Sequence, residues 1–239
     1  MVRIYAVNIA ERGETELTAC KSVISEERRS KVERFRFEKD RVRCIMGEAL
    51  VRYILEADCG ISQHMVSFST DKNGRPFAVF PEDKAFDFNI SHAGDWVICA
   101  FGDERSGVDI EKVFDIDYRL AESVLTPREL TSLNKLPPHE QNKLFCQLWT
   151  LKESYSKQIG MGLGISFREL KMRESEIGKW HAVGDLSRVL YTSFWTDDYA
   201  ISLCVPLSAD VFSRIITLKV DDIESFFHFS DPDLIHNDR

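Results

Sequence analysis

The chain has 239 residues, 44% hydrophobic and 29% charged, with a net charge of -8. That composition excludes collagen, coiled coil and a disordered polymer, and a chain of this length buries roughly 70% of its unfolded surface without disulfides or a structural metal. The acidic balance argues against a duplex-binding protein, so no nucleic-acid partner is expected. No membrane partner is expected either: the longest clean apolar run, residues 96–101, falls far short of the roughly 18 residues of a membrane span. Residues 1–5 lack a signal-peptide layout, so the expected location is the cytoplasm.

Residues 2–9 alternate enough to read as a strand. Ser25 is placed to cap a helix whose first turn carries Glu26 and Glu27, as the helix dipole prefers. A second helix follows from about Asp40 to a stop at Gly60, with Ile45, Met46, Ala49, Leu50, Tyr53, Ile54 and Ala57 recurring at three- and four-residue steps. Short strands are predicted over residues 65–69, 77–80, 86–91 and 96–101, the last two forming a hairpin across His92–Asp95. The pattern then restarts near residue 103. Residues 106–111 read as a strand, Thr126–Glu129 as a capping box with Pro127 at the first helical position, and residues 138–160 as a long helix. Strands over 167–172, 189–195 and 199–205 close with a turn at 196–198. This echo predicts an α+β fold of two pseudo-symmetric halves, each an antiparallel sheet packed with helices: residues 1–103, residues 104–220, and a loosely held acidic tail over 221–239. The six cysteines form no CxxC pair and sit mostly in apolar stretches, which predicts reduced core residues.

Charge is unevenly spread. Residues 21–52 hold ten Lys and Arg against six Asp and Glu, whereas residues 221–239 hold six acids against one arginine. A basic patch on an acidic protein suits a small anionic ligand.

Strand alternation sends Val108 and Ile110 to one face and Asp109 and Glu111 to the other. Two carboxylates about 6.6 Å apart along a strand can lean onto one hard cation if a third oxygen donor is near; otherwise they are the solvated face of a half-buried strand. In the long helix, Leu144, Leu148, Leu151, Tyr155 and Ile159 make the core seam, and Trp149, Glu153 and Lys157 stack roughly opposite it. Glu153 is then either a third metal ligand beside a phosphate-binding Lys157, or half of an exposed i, i+4 pair worth about 0.2–0.5 kcal/mol. Ser91 and His92 stand where a strand ends and read as anion contacts, since no nucleophilic triad and no G-x-S-x-G elbow is present. Asn73-Gly74-Arg75-Pro76 is a turn whose arginine can fork onto phosphate. Gly160–Gly164 follows a helix instead of opening one and suits a C-cap.

Taken in order, Arg28…Lys31…Arg43, Gly74-Arg75-Pro76, Phe88-Asn-Ile-Ser-His92, Gly107-Val-Asp-Ile-Glu111 and Trp149-Thr-Leu-Lys-Glu-Ser-Tyr-Ser-Lys157-Gln-Ile-Gly-Met-Gly-Leu163 resemble the 4'-phosphopantetheinyl transferases, and more narrowly their surfactin-synthetase-activating type. The resemblance covers residues 2–205 and rests on the combination of the last two motifs, about forty residues apart. It implies a monomer that binds coenzyme A between its halves and moves the phosphopantetheine arm to a serine of an acyl- or peptidyl-carrier protein, as in polyketide or nonribosomal peptide biosynthesis. The nucleophile then belongs to the partner. By position, Asp109, Glu111 and Glu153 match the family's magnesium carboxylates; Lys157, Arg28 and Lys31 its pyrophosphate contacts; Arg43, Arg75, Ser91 and His92 its 3'-phosphate contacts; and Asn73 to Pro76 its adenine border. Glu153, or a water on the metal, is the expected base for the carrier serine, with Glu129 a weaker candidate. Arg28 and Arg75 depart from the family's usual lysines, which keeps charge but changes a point charge to a fork. Carrier docking is expected on apolar contacts around Ile116, Leu120 and Val124. A magnesium-dependent hydrolase of phosphoanhydrides and a non-catalytic module that binds coenzyme A are the competing readings.

Overall fold

The structure, a computed structural model, describes residues 1–81, 86–195 and 198–230. The first stretch runs β1 (Val2–Asn8), α1 (Thr18–Val23), α2 (Glu26–Arg34), α3 (Glu38–Ala57), β2 (Ser67–Thr70), β3 (Pro76–Val79), β4 (Asp87–Ala93) and β5 (Trp96–Gly102). The second runs β6 (Gly107–Lys112), α4 (Tyr118–Val124), α5 (Pro127–Leu133), α6 (Pro138–Ile159), β7 (Met172–Glu176), β8 (Lys179–Ala182), β9 (Arg188–Trp195), β10 (Tyr199–Pro206), β11 (Val211–Leu218) and α7 (Val220–Ser230).

β1 is apolar on both faces because both faces are covered. Tyr5 and Val7 join α3 in one core through Ile45, Leu50 and Ile54, while Ile4 and Ala6 meet Val108, Ile110, Ile201 and Leu203 of the other sheet. The chain therefore stacks helices, a sheet of order β11-β1-β5-β4, a sheet of order β6-β10-β9-β8-β7, and α6 with α4 and α5 beyond it. The second sheet is antiparallel throughout, and its residues alternate between the two cores: Ile201 and Leu203 face the first sheet, Ala200 and Cys204 face α6. None of the six cysteines is in a disulfide, and all but Cys59 are buried, as apolar core residues.

The fold is α+β, as expected, and the structure moves several boundaries. β11 pairs in parallel with β1, so residues 211–218 return to the first half's sheet. Residues 221–230, expected to begin a loose acidic tail, instead continue α7 from Val220; Ile223 and Phe227 of this helix are fully buried and its Glu224 accepts the orphan amide hydrogens of Ala19 and Cys20 at the start of α1. Apolar residues at 220, 223 and 227 carry the helical period that the surrounding acids conceal. The tail's remaining residues, 231–239, and Thr196 and Asp197 of the predicted turn lie outside the described residues. Residues 167–170 are a turn, not a strand; β7 and β8 follow as a hairpin too rich in charge to show alternation. The hairpin between β4 and β5 turns at Gly94, with φ of 55°, and Asp95, so Ser91 and His92 lie inside β4. Ile116 and Leu120, half-buried, pack against the α6 core, and Val124 is only 4% exposed.

Candidate active site

Gly107 sets how closely the second half's parts can approach. A methyl at this position would overlap the Ser154 carbonyl oxygen and the Gln158 amide of α6, so only glycine lets β6 lie against that helix. Gly107→Ala is expected to cost about 1–3 kcal/mol by overpacking and to lower turnover with it, because the strand that carries Asp109 must retreat. Melting temperature and turnover measured on one preparation check this.

On that strand Val108 and Ile110 enter the inter-sheet core, while Asp109 and Glu111 face α6, where Glu153 and Lys157 stand one turn apart. The Lys157 ammonium donates to Asp109 Oδ1 at 2.6 Å, to Ser91 Oγ at 3.1 Å and to the Val108 carbonyl at 3.1 Å. It is therefore a cross-element ion pair that joins α6 to β6, not the exposed Glu153–Lys157 pair of the bland reading. Ser91 Oγ donates to the same Asp109 oxygen at 2.8 Å. Asp109 is 4% exposed, and its other oxygen, Oδ2, is buried without a hydrogen-bond partner. Burial, then the Asp109 charge, pushes the Glu111 carboxyl up to about 7, and the same two causes raise Glu153. The charge of Asp109 thus disfavours ionisation of both glutamates.

A cavity of about 730 Å³ is lined by Arg28, Lys31, Phe35, Phe68, Gly74 and Pro76, and a smaller chamber of about 220 Å³ shares that wall and runs past Arg43 to Asn89 and His92, which flank Ser91 on β4. A broader basin of about 780 Å³ around Glu14 lies elsewhere, and its Lys21 and Arg41 are already paired to Glu14. The cationic wall is held from behind. Glu48, in mid-α3, accepts from the Ser25 hydroxyl at 2.9 Å, from the Ser25 amide, from Arg28 Nε at 3.2 Å and from both Nε and Nη2 of Arg52. Ser25 in turn caps α2 through the Arg28 amide. Among the described residues Lys31 carries no ion pair, which leaves its charge for a ligand.

Other predicted residues are placed differently. The Arg75 side chain, 8% exposed, donates to Asp87, to the Phe88 and Ser106 carbonyls and to the Lys157 carbonyl. Its fork is engaged at the junction of the halves. Arg43 is drawn onto the Gly94 carbonyl and Asp40. His92 stays accessible at the cleft, and surrounding protein together with Arg43 lowers its pKa. Asn73 and Gly74 form the β2–β3 turn, which Asp71 holds through the amides of Asn73 and Arg75. Glu129, the weaker base candidate, instead binds the ammonium of Lys152, a fully buried lysine, at 2.7 Å.

Sequence reasoning missed Glu48, Arg52, Asp87 and Lys152. Glu48, Arg52 and Lys152 are buried charges among apolar helix residues, and Asp87 heads the polar face of β4; in each case the partner that neutralises the charge is a tertiary fact.

A magnesium ion would find a fitting donor set in Asp109, Glu111 and Glu153: hard oxygen ligands, one of them an orphaned buried oxygen. Among the described residues no three His, Cys, Asp or Glu side chains are arranged to hold a metal ion by themselves. Magnesium ordinarily takes one or two carboxylates and completes its shell with water and substrate phosphates.

Two family models match the chain: "4'-phosphopantetheinyl transferase, N-terminal" over residues 12–103, and "4'-phosphopantetheinyl transferase superfamily" over residues 105–204. The chain is 32% identical over 182 residues to 4'-phosphopantetheinyl transferase psf-1 of Bacillus pumilus, covering 74% of this chain and 77% of that protein. It is 35% identical over 158 residues to 4'-phosphopantetheinyl transferase Sfp of Bacillus subtilis, covering 66% and 70%. Among solved structures, a holo-(acyl-carrier-protein) synthase from Bacillus anthracis in complex with coenzyme A overlaps 44% of this chain and 96% of its own, with a TM-score of 0.37 and 24% identity.

Proposed function

The chain belongs to the 4'-phosphopantetheinyl transferases, and from that membership we propose that it moves the phosphopantetheine arm of coenzyme A to a serine of an apo acyl- or peptidyl-carrier protein in a magnesium-dependent reaction. The observation that carries this reading is the meeting of Asp109, with its orphaned buried oxygen, and Lys157 on Ser91 of β4, whose neighbour His92 lines one chamber with Arg28 and Lys31.

In this reaction the serine oxygen bonds to the β-phosphorus of coenzyme A, the bridging P–O bond breaks, and adenosine 3',5'-bisphosphate leaves. Arg28 and Lys31 hold phosphate oxygens on the first half's wall, His92 borders them from β4, and Ser91 beside it holds Asp109 and Lys157. Lys157, aimed by Ser91 and the Val108 carbonyl, places its ammonium where the phosphoanhydride gains negative charge. Asp109, Glu111 and Glu153 would hold magnesium, which when bound supplies the remaining neutralisation of the phosphates. Glu153 takes the serine proton; its raised pKa brings its basicity nearer neutral pH than that of an exposed glutamate.

Weighing an apo-carrier after incubation with coenzyme A and magnesium tests the proposal. A gain of one phosphopantetheine mass supports it. Bisphosphate release without a carrier would favour the hydrolase, and binding without turnover the non-catalytic module.

The carboxylate cluster also predicts a pH dependence. Glu111 titrates near 7 in the fold against 4.5 for the free side chain. A folded pKa raised above the unfolded one stabilises at low pH and loses that contribution as pH climbs from about 4.5 to about 7. Metal-free protein is therefore expected to lose about 1–2 kcal/mol, after screening of this partly exposed group, or roughly 3–6 °C of melting temperature, between pH 5 and 8. Calorimetry in chelator should show the slope flattened in Glu111→Gln and reduced by added magnesium. An equal slope in the variant would assign it to other groups.

A further inference from the structure

β4 and β6 are the facing edges of the two sheets, and no backbone ladder joins them among the described residues. Side chains take its place. Asp87 Oδ2 accepts from the Ser106 amide at 2.9 Å, Asn89 Oδ1 from the Val108 amide at 2.8 Å, and Ser91 Oγ from the Ile110 amide at 3.4 Å. Alternate residues of one strand thus meet alternate amides of the other, which is the register that strand alternation imposes when one edge offers side chains and the other its backbone. The carbonyls of the same edge are also taken, that of Ser106 by Arg75 at 2.8 Å and that of Val108 by Lys157 at 3.1 Å. The free edge of β6 is therefore satisfied by side chains alone, at the strand that carries Asp109 and Glu111.

The three rungs differ in what else they touch. Asp87 is paired to Arg75, and Ser91 bonds Asp109 and Lys157 directly. Asn89, 7% exposed, spends its carbonyl oxygen on the Val108 amide and contacts neither Asp109 nor Lys157 by hydrogen bond. Val108 lies next to Asp109 in the chain, and its carbonyl is one of the three groups that aim Lys157.

We propose that Asn89 is a positioning residue for the transfer: through the Val108 amide it sets the height of β6 against β4, and so the placement of Asp109 and Lys157 across from the cationic wall. The proposal rests on the reading of Asp109 as a metal-binding carboxylate. Losing the acceptor leaves a buried amide unpaired, and β6 shifts to find another partner.

Asn89→Leu removes the acceptor at similar volume, and Asn89→Asp keeps an oxygen at the same position. Three quantities are measured: exchange of the Val108 amide in metal-free protein, the magnesium concentration at half-maximal activity, and kcat with KM for coenzyme A. In Asn89→Leu the Val108 amide is expected to exchange about 10- to 100-fold faster, kcat to fall by a similar factor and the magnesium midpoint to rise several-fold, each exceeding any rise in KM for coenzyme A that comes from the altered lining of the smaller chamber. Asn89→Asp should restore Val108 protection and most of the magnesium response. Should Asn89→Leu fail to fold, Asn89→Ser, whose hydroxyl is too short to span the gap, is read in the same way. A wild-type magnesium midpoint in a folded variant that lacks the acceptor, or a loss confined to KM for coenzyme A, overturns the proposal while leaving the metal reading intact. Wild-type turnover indifferent to magnesium overturns the metal reading and the proposal together.

Discussion

Asp109→Ala is expected to lower kcat/KM at least about 1,000-fold at saturating magnesium while the protein melts within a few degrees of wild type. The loss is large because one substitution removes two things: the carboxylate whose orphaned oxygen fits a hard cation, and the partner that holds the Lys157 ammonium. Neutralising charge on a breaking phosphoanhydride contributes several kcal/mol, and every 1.36 kcal/mol is tenfold in rate. Stability should change little. The wild-type carboxylate already leaves Oδ2 buried and unpaired, and the Lys157 side chain, 25% exposed, can turn its freed charge toward water. Kinetics of carrier mass gain, paired with a thermal melt, check both halves of the expectation. Turnover within tenfold of wild type would remove Asp109 from the reaction; collapse of the fold would make it a structural residue.

Glu48→Ala should have the largest effect on stability, about 3–5 kcal/mol, or roughly 10 °C or more of melting temperature. Glu48 is 2% exposed and receives hydrogen bonds from Ser25, Arg28 and Arg52. Its removal leaves Arg52, itself 6% exposed, with two carbonyl acceptors at Gln63 and Val66 but no counter-charge. The start of α2 loosens too, because Ser25 is both its cap and a Glu48 partner. Glu48→Gln keeps one acceptor oxygen, turns the other into a donor that faces Ser25 and arginine donors, and loses the charge, so it should fall between wild type and alanine. Denaturant melts measure the series. A loss under about 1 kcal/mol in the alanine variant would show that water replaces the carboxylate, and the cationic wall would then not depend on it.

Much of this was legible in the sequence. Helices carried by strong local signals stand where expected: the Ser25 cap, the Thr126–Glu129 capping box and the Gly160 stop are all formed. Signals failed where charge masked period, as in α7 and the β7–β8 hairpin, whose exposed faces carry most of their acidic and basic residues. Of the site, the carboxylates of β6 and the Glu153–Lys157 stripe could be read as faces. Arg75 could not, because a fork that fits phosphate fits buried carbonyls equally well, and only packing selects between them. The same holds for Ile116, Leu120 and Val124: an apolar residue reads alike whether it covers its own core or a partner.

By itself, then, the sequence determined which side chains share a face. Val108 and Ile110 part from Asp109 and Glu111 because a strand repeats every two residues, and Trp149, Glu153 and Lys157 align because a helix repeats every 3.6. Those periods are local and need no partner. Only the tertiary structure decided which faces meet: that Lys157 answers Asp109 instead of its neighbour Glu153, and that Asp87, Asn89 and Ser91 spend their oxygens on the edge of β6. These pairings join residues between 19 and 48 positions apart. They are set by burial, which leaves no polar group on either strand edge free to remain with water.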